Sequence, residues 1–356
     1  MLFWPGVMLW ALSTTAAACV RQEGPEPPDA PYSVSPATPW TQLDEFPSRP
    51  SIRLELDLSL GDLAGPEEQI FGFVTDVGLG PSGELYVVDN YVQRVSVFDR
   101  RGRFVERWGR SGTGPGEFLA PFSIAVLDTA VAVYDSRLKR IGVFGLRGAY
   151  RHSVDTPAFS QIWLARGPSH SILAARMTLS ADTALLTALT SSGETVGTLM
   201  APAVTAELHG PYVAEPGRSC TVADGTILYA NSWTYELVRI RWPEMVPLHR
   251  WVRESAILRP DLPRSPEIGP AVQRGAVLGL GCGDDHVVLA YADPEDGRFV
   301  YDVYSAALEP LGRIQFDRAE IGARIPGWIG DMRGGRIATF RATPYPQVFV
   351  YRVVLE

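Results

Sequence analysis

The stretch Gly83-Glu-Leu-Tyr-Val-Val-Asp89, followed by Arg94-Val-Ser-Val-Phe98 and Gly102-Arg-Phe-Val105, decides the fold of this chain. Apolar and polar residues alternate within each short run and glycine marks the turns, which is the pattern of β-hairpins. Four residues of the stretch return 46 positions later, where Asp89, Arg94, Phe98 and Gly102 become Asp135, Arg140, Phe144 and Gly148. Repetition with a period of about 20 to 50 residues indicates stacked units, and four short strands per unit make the blade of a β-propeller.

The number of blades follows from the turn between the first two strands of each repeat. Gly83 marks the first such turn, and later repeats place it at Thr129, His170, Gly225, Asp285 and Gly335. The last repeat supplies only three strands, over 327–332, 336–341 and 347–355. Near the other end of the chain, apolar residues alternate as if on one face of a strand: Ile52, Leu54, Leu56, Leu58 and Leu60. We predict an all-β, six-bladed propeller of four-stranded antiparallel blades, closed by strand 52–60 joining the last blade.

The composition narrows the class of partner. The chain has 356 residues, of which 46% are apolar, and a net charge of −8. A field of this sign repels the phosphate backbone of nucleic acids, and no stripe of Lys and Arg opposes it. The sequence therefore predicts no nucleic-acid partner.

The N-terminal segment is typical of export. Residues 1–18 are mostly apolar and end in small residues, as a cleavable signal peptide does. Cys19 follows directly, which resembles the lipidation site of bacterial lipoproteins, although Ala16 replaces the usual leucine and no Lys or Arg precedes it. An ordinary signal peptide or a short membrane anchor is the alternative.

Residues 19–50 are rich in proline and predict an extended, semi-rigid linker before a propeller domain over 51–356. A lipid at Cys19 would hold that domain away from a membrane surface, and this lipid is the one membrane contact that we expect. The protein is therefore expected to be exported, and to be either periplasmic or an outer-membrane-anchored lipoprotein. Secretion is the alternative.

Several motifs match those of a known family. Gly83–Asp89, Arg94–Asp99, Gly102–Val105 and the loop Gly109-Arg-Ser-Gly-Thr-Gly-Pro-Gly-Glu-Phe118 resemble the NHL-like six-bladed propellers, specifically exported bacterial 6-bladed β-propeller proteins. The resemblance is dense over 71–150 and degenerate over 161–356. It implies binding of proteins, glycans or small ligands, and in a minority of such propellers a lactonase or lyase activity. No catalytic motif of the family transfers to a residue of this chain.

Two repeated pairs, Asp89 with Arg94 and Asp135 with Arg140, share a five-residue spacing across a hairpin. Their repetition in register favours a structural clamp on the turn, made of charge-assisted hydrogen bonds, over a functional site. The glycine-rich loop 109–116 lacks the lysine and the following helix of a phosphate-binding loop, so it is predicted to connect blades.

Cys220 and Cys282 are the two cysteines of the predicted domain, and each stands just before the first turn of its repeat. Neighbouring inner strands would bring them close, and disulfides persist in exported proteins. A bridge requires Cα atoms within about 7 Å. The sequence does not decide between a disulfide and two buried free thiols, and we keep both as equal alternatives.

A metal site is not indicated by spacing. The histidines are scattered over positions 152, 170, 209, 249 and 286, without the close pairs typical of zinc ligands. Acidic groups at 284–285 and 293–296 have the oxygen ligands that Ca²⁺ prefers, but aspartate also favours solvated turns. We therefore predict no cofactor and interpret these acidic groups as solvated turns, with a Ca²⁺ site as the alternative.

The topology predicts one site. The start of the first strand and the end of the second strand of each blade open on the same face, seven residues before and six residues after each turn. We predict a ligand-binding channel mouth at that face, formed by Asp76, Trp163, Arg176, Arg218, Asn231, Tyr291, Trp328 and Arg341. Aromatic rings with arginines suit flat, anionic or carbohydrate-like ligands. The alternative is that the aromatic rings pack between blades and the arginines pair with Asp76, Asp89 or Asp135.

These observations favour a non-catalytic binding propeller of the bacterial cell envelope, whose partner would be a protein, a glycan or a small anionic ligand. A Ca²⁺- or Zn²⁺-dependent lactonase or lyase is the first alternative, and it requires at least three converging ligands. A purely structural assembly module is the second alternative.

Overall fold

The computed structural model describes residues 38–43, 45–47, 52–156, 162–176, 184–200, 217–230, 235–253, 277–292, 299–316, 327–342 and 344–355. These residues form strands and two short 3-10 helices, Glu67–Gln69 and Pro168–His170. Within these ranges, no helix has the length and apolar character needed to cross a membrane.

The first strands are β1 (Trp40–Gln42) and β2 (Ile52–Leu60). Blade 1 contains β3 (Val74–Leu79), β4 (Leu85–Asp89), β5 (Arg94–Phe98) and β6 (Phe104–Trp108). Blade 2 contains β7 (Pro121–Val126), β8 (Ala130–Asp135), β9 (Arg140–Gly145) and β10 (Tyr150–Asp155). Blade 3 contains β11 (Ile162–Arg166), β12 (Ile172–Arg176), β13 (Ala184–Leu189) and β14 (Thr195–Met200).

The second half of the chain repeats this order. Blade 4 contains β15 (Arg218–Thr221), β16 (Ile227–Ala230), β17 (Glu236–Arg241) and β18 (Val246–Val252). Blade 5 contains β19 (Val277–Cys282), β20 (His286–Ala292), β21 (Phe299–Ser305) and β22 (Pro310–Phe316). Blade 6 contains β23 (Trp328–Arg333), β24 (Arg336–Arg341) and β25 (Gln347–Leu355), with β2 as its outer strand.

The six sheets form a closed ring. The first strand of each blade contacts the first strand of the next, and β23 of blade 6 contacts β3 of blade 1. Side chains of adjacent sheets interleave to form the core between blades, as in the cluster that holds Val88, Ile124 and Val133. The predicted six-bladed propeller of antiparallel blades is confirmed.

The predicted closure by the N-terminal strand is also confirmed, because β2 pairs antiparallel with β25 from Ile52–Leu355 to Leu60–Val348. The predicted single apolar face is wrong. A bulge between Leu56 and Leu58 inserts one residue, and one inserted residue moves all later side chains to the other face. Ile52 and Leu54 therefore join the core shared with blade 5, while Leu58 and Leu60 join a core that contains residues of blade 1.

The predicted linker 19–50 contains a strand that the sequence did not indicate. β1 adds to β18 in parallel, which makes blade 4 a five-stranded sheet. The Arg250 N–H donates to the Pro39 carbonyl at 2.9 Å, and the Leu43 N–H donates to the Val252 carbonyl at 2.8 Å. Strand addition satisfies backbone groups that an outer edge would leave to water. We call residues 38–47 the strap.

Behind β1, the strap covers a polar cluster between blades 4 and 5. The Phe46 ring lies 4.5 Å from the Arg253 guanidinium and 4.8 Å from that of Arg313. Arg313 donates to both oxygens of the buried Asp302 carboxylate, at 2.6 and 2.9 Å. Because a buried carboxylate is tolerated only with such partners, this cluster joins the two blades specifically.

Candidate functional site: the central channel

The inner strands all begin at one end of the channel, which we call the upper end. The cross-strand pairs Val74–Asp89, Ile162–Arg176 and Val277–Tyr291 place the start of each first strand beside the end of the second. The residues predicted for the channel mouth therefore share the upper end, apart from Asn231, which lies outside the described residues. β14 and β18 also end at this upper end, and β15 and β19 begin there.

A plug of three side chains crosses the axis at the upper end. Blades 3 and 6 stand opposite each other in the ring, yet the Trp163 and Trp328 rings lie 6.2 Å apart and nearly parallel. The Arg218 guanidinium from blade 4 lies 3.7 Å from the centroid of the Trp163 ring and 5.6 Å from that of Trp328. Trp163 and Arg218 are buried. The aromatic and arginine residues predicted to face a ligand thus stack on one another.

Asp76 lies buried beside the plug and links three inner strands. The Ser123 hydroxyl donates to Asp76 Oδ2 at 2.6 Å, and the Ile124 N–H donates to the same oxygen at 2.9 Å. The Leu164 N–H donates in turn to Ser123 Oγ at 2.9 Å. Burial outweighs these hydrogen bonds and the nearby Arg218 charge, and it raises the pKa of Asp76 from 3.8 to about 7.

This pKa predicts a pH-dependent stability. Between about pH 4 and 7 the folded protein keeps a proton on Asp76 that the unfolded chain has released, so this contribution is full below pH 4 and is lost as pH rises through 7. From pH 5 to pH 8 we expect the free energy of unfolding of the wild type to fall by about 3 kcal/mol relative to Asp76→Asn, whose amide does not titrate. Urea unfolding at both pH values measures the difference, and parallel pH profiles would contradict it.

The other residues predicted for the mouth have local partners. Arg341 Nε donates to Gln347 Oε1 at 2.9 Å within its own hairpin, and burial lowers the pKa of its guanidinium. The Tyr291 ring packs edge-on against Tyr235, with centroids 5.4 Å apart. Burial also lowers the pKa of Arg176. A ligand at this end would have to displace contacts within the protein.

The predicted clamp residues bind the backbone. Asp89 accepts hydrogen bonds from the Gly72 and Phe73 N–H groups at 2.7 and 3.0 Å, and Asp135 accepts from the corresponding connection between blades 1 and 2, at Leu119 and Ala120. Arg140 instead donates to carbonyls of the glycine-rich loop, including Gly114 at 2.7 Å. Each carboxylate also accepts from N–H groups of the turn that follows it, Asp89 from Tyr91 and Asp135 from Arg137. The carboxylates therefore hold both the entering chain and the turn through backbone N–H groups.

Cys220 and Cys282 form a disulfide that joins β15 to β19, with Cα atoms 5.6 Å apart. It connects the inner strands of blades 4 and 5. Among the described residues, no group of three or more His, Cys, Asp or Glu side chains is placed to hold a metal ion. Cys19, His209 and the acidic run 293–296 lie outside the described residues.

Below the plug, the later halves of the inner strands line a narrow chamber. Blades 2 to 6 supply its wall, through residues 124–126, 164–166, 219–221, 280–282 and 330–332. Arg166 from blade 3 and Asp331 from blade 6 face each other across the axis, and Arg166 Nη1 lies 3.6 Å from Asp331 Oδ2. The chamber therefore contains one charge of each sign.

Charged groups also surround the lower end of the chamber. Arg333 forms an ion pair with Asp128, and His170 Nδ1 lies 3.1 Å from the same carboxylate. His170 and Asp128 are well exposed to solvent. The end of the channel opposite the plug is therefore charged and faces solvent.

The sequence analysis missed the chamber residues, although a signal for them exists. Four residues before each turn stand Leu79, Ala125, Arg166, Thr221, Gly281 and Asp331, and all of these except Leu79 line the chamber. Arg166 and Asp331 are charges of opposite sign, three blades apart. In a ring of six blades, that separation places them face to face.

Comparison with known proteins supports the fold. A family model described as 6-bladed beta-propeller matches residues 68–165, which confirms the predicted resemblance. No curated protein matches the sequence. A Bacteroides fragilis protein provisionally described as exported superposes with a TM-score of 0.61 at 12% identity, over 89% of this chain and 99% of its own.

Two further solved structures have the same architecture. A member of the duf4221 family from Bacteroides vulgatus has a TM-score of 0.54 at 13% identity, over 86% of this chain and 99% of its own. The PQQ-bound aldose sugar dehydrogenase from Streptomyces coelicolor has a TM-score of 0.51 at 13% identity, over 87% of this chain and 100% of its own. At these identities the likeness shows the fold alone, because one propeller scaffold serves many activities.

Proposed function

We propose that this protein is an exported, non-catalytic propeller of the cell envelope that binds a small polar ligand in the channel chamber. The observation that carries the proposal is the convergence of an arginine and an aspartate on one narrow chamber at the axis. Ligand sites are concave and fix their ligands with a small number of placed polar groups. Export rests on the N-terminal segment, which ends in small residues before Cys19.

The chamber is a better site than the predicted mouth. At the mouth, Arg218 already stacks on Trp163 and Trp328, and binding there would have to break this contact. In the chamber, the Arg166–Asp331 pair is longer than a direct hydrogen bond. We keep the mouth residues as a proposed second binding surface, for a larger anionic or glycan partner.

A thermal-shift screen with sugars, organic acids and amino acids tests the proposal. We expect at least one class to raise the melting temperature of the wild type, because a ligand that binds only the folded state stabilises it. Arg166→Gln should lose that shift. Arg110→Gln, which removes an exposed partner of Glu117 far from the chamber, should keep it. A screen without any shift, or a shift that Arg166→Gln retains, would refute the chamber as the binding site.

A metal-dependent lactonase or lyase is the alternative from a different class. Elemental analysis of the purified protein separates the two, because a stoichiometric Ca²⁺ or Zn²⁺ would favour the enzyme. A structural assembly module would show neither a metal nor a ligand.

A further inference from the structure

We propose that two copies of this propeller associate through their lower faces, with the basic half of one face against the acidic half of the other. The lower face is the surface formed, at the lower end of the channel, by the turns that join the first to the second and the third to the fourth strand of the blades. The proposal concerns a surface outside the chamber and does not depend on a ligand there.

Exposed charges of opposite sign occupy opposite halves of the lower face. In the turns of blades 1 and 2, the exposed charged side chains that form no ion pair with a described residue are all basic: Arg100, Arg101 and Arg147. In the turns of blades 3 to 5 they are all acidic: Glu194, Glu244, Asp284, Asp285 and Glu309. In a ring of six, blades 4 and 5 stand opposite blades 1 and 2, so the two charged halves lie across the channel from each other.

The other charged residues of these turns have partners within the chain. Glu84 accepts from the Ser82 N–H at 3.0 Å. Three further carboxylates pair with arginines, in Asp99–Arg103, Asp128–Arg333 and Asp224–Arg239. In strands next to the face, the exposed Arg151 adds to the basic half and the exposed Arg241 offsets part of the acidic half. The two halves therefore still differ in sign.

A two-fold axis in the plane of the lower face brings the unlike halves together. If the axis passes through blades 3 and 6, the rotation places blade 1 against blade 5 of the second copy, and blade 2 against its blade 4. The turn with Arg100 and Arg101 then meets the two acidic turns of blade 5, and Arg147 meets Glu244. Each contact occurs twice, as a self-complementary interface between two copies requires.

The turns on this axis carry little charge. A residue on a two-fold axis meets its own counterpart, so a charge there would be repelled by a charge of the same sign. The inner turn of blade 6 is Gly334–Gly335, which has no side chains, and the turns of blade 3 contain one acidic residue, Glu194. The face is thus charged where the rotation pairs opposite signs and nearly neutral where it pairs like with like.

The same axis places both straps on one side of the pair. β1 lies on blade 4, which packs beside blade 3. Since the axis passes through blade 3, blade 4 of each copy lies on the blade 3 side. Two copies that each carry a lipid at Cys19 can therefore be anchored in the same membrane, so the association is compatible with the proposed export and anchoring.

An anionic membrane surface is the alternative partner of the basic half. Anionic headgroups attract arginines close to a membrane, but they would repel the acidic half of the same face. A second copy provides opposite charge to both halves at once. The distribution of charge therefore favours self-association over a membrane contact.

Sedimentation-velocity centrifugation of the full chain over a range of concentrations tests the proposal. We expect an equilibrium between monomer and dimer at low salt that moves towards monomer as NaCl is added, because the Debye length shortens to about 8 Å at 0.15 M ionic strength. A monomer at every protein concentration and every salt concentration would overturn the proposal.

Two charge-reversal variants test which surfaces meet. The basic-side variant carries Arg101→Glu and Arg147→Glu, and the acidic-side variant carries Glu244→Arg and Glu309→Arg. Each alone should raise the dissociation constant of the dimer at least about tenfold, because attraction across the interface becomes repulsion. All four side chains are exposed, so the melting temperatures should change little. An equimolar mixture of the two variants should dimerise like the wild type, since each basic turn again meets an acidic one.

A control separates the interface from a general effect of charge. Arg110→Glu with Arg137→Glu makes the same change of net charge as the basic-side variant, at exposed residues of the upper end, and should dimerise like the wild type. The acidic-side variant reduces the net charge of −8, so general repulsion alone would predict stronger association for it. A mixture that does not restore the dimer, or a control as weak as the basic-side variant, would overturn the proposed pairing.

Vesicles of phosphatidylglycerol test the alternative partner. We expect that they do not co-sediment a form without the Cys19 lipid. Co-sedimentation of the wild type that the basic-side variant loses, in a protein that stays monomeric in solution, would assign the basic half to a membrane surface and overturn self-association.

Discussion

A variant that starts at residue 61 is expected to lose cooperative folding, whereas one that starts at residue 38 should unfold like the full chain. Removal of β2 leaves blade 6 with three strands and uncovers the edge of β25, where Val348 and Val350 are fully buried. The interface between blade 6 and blade 1 would then lose Leu58 and Leu60 and would be held only by the inner strands. All contacts described here begin at residue 38, so the shorter deletion removes none of them. Urea unfolding followed by circular dichroism measures each variant.

A matched pair of substitutions in β2 tests the same closing strand in a chain that still folds. Leu60 is 3% exposed and packs in the core that contains Phe71 and Phe98, whereas Leu56 is 37% exposed beside the bulge. We expect Leu60→Ala to lower the free energy of unfolding by about 3 kcal/mol, and Leu56→Ala by less than about 1 kcal/mol. Equal effects would mean that β2 does not pack across the blade interface as described.

A variant that starts at residue 52 separates the contribution of the strap to stability from that of β2. This variant keeps β2 but removes β1, Leu43 and Phe46, which cover the edge of blade 4 and the groove to blade 5. We expect it to fold, with a free energy of unfolding between those of the variants that start at residues 38 and 61. If it matches the variant that starts at residue 61, closure depends on the strap as much as on β2.

Loss of the Cys220–Cys282 disulfide is expected to lower the free energy of unfolding by about 4 kcal/mol. The bridge closes a loop with a sequence separation of 62 residues, and the chain-entropy relation gives about this value for a loop of that length. The loop includes the longest connection between blades, 253–276, so the bridge restricts a long segment of the unfolded chain. It also joins two strands on the wall of the chamber.

The double variant Cys220→Ala, Cys282→Ala measures this contribution, since alanine leaves no buried hydroxyl in place of the sulfur. The comparison is made in a form that lacks Cys19, so that a third thiol does not interfere. Wild type reduced with excess dithiothreitol should unfold at the same urea concentration as the double variant. Thiol titration of the unreduced form that lacks Cys19 should find no free cysteine. Two free thiols, or identical unfolding with and without reductant, would refute the bridge.

Much of the architecture is readable from short segments of the sequence. The runs around Asp89 and Asp135 alternate with period two and end at glycines, and the same pattern, weaker, marks the later blades. The closing strand was also predictable, because the last repeat has three strands and 52–60 alternates. These features depend on backbone geometry within one repeat, which is local and therefore visible in sequence.

The strap was not predictable. The sequence around Trp40–Gln42 is short, flanked by prolines and without alternation, so nothing local indicates a strand. It becomes one because β18 presents an unpaired edge and because a groove lined by Arg253 and Arg313 receives Phe46. Both partners are distant in the chain, and pairing with them outweighs local propensity.

The sequence by itself determined a ring of six hairpin-based sheets and the residues that meet at its upper end, because strand period and turn position are properties of each repeat. Only the tertiary structure decided that Trp163, Trp328 and Arg218 close that end on one another, and that Arg166 and Asp331 face each other in the chamber below it. The reason is the closure of the ring. It brings opposite blades to one axis, and whether two side chains meet there depends on the distance across the channel, which no single repeat encodes.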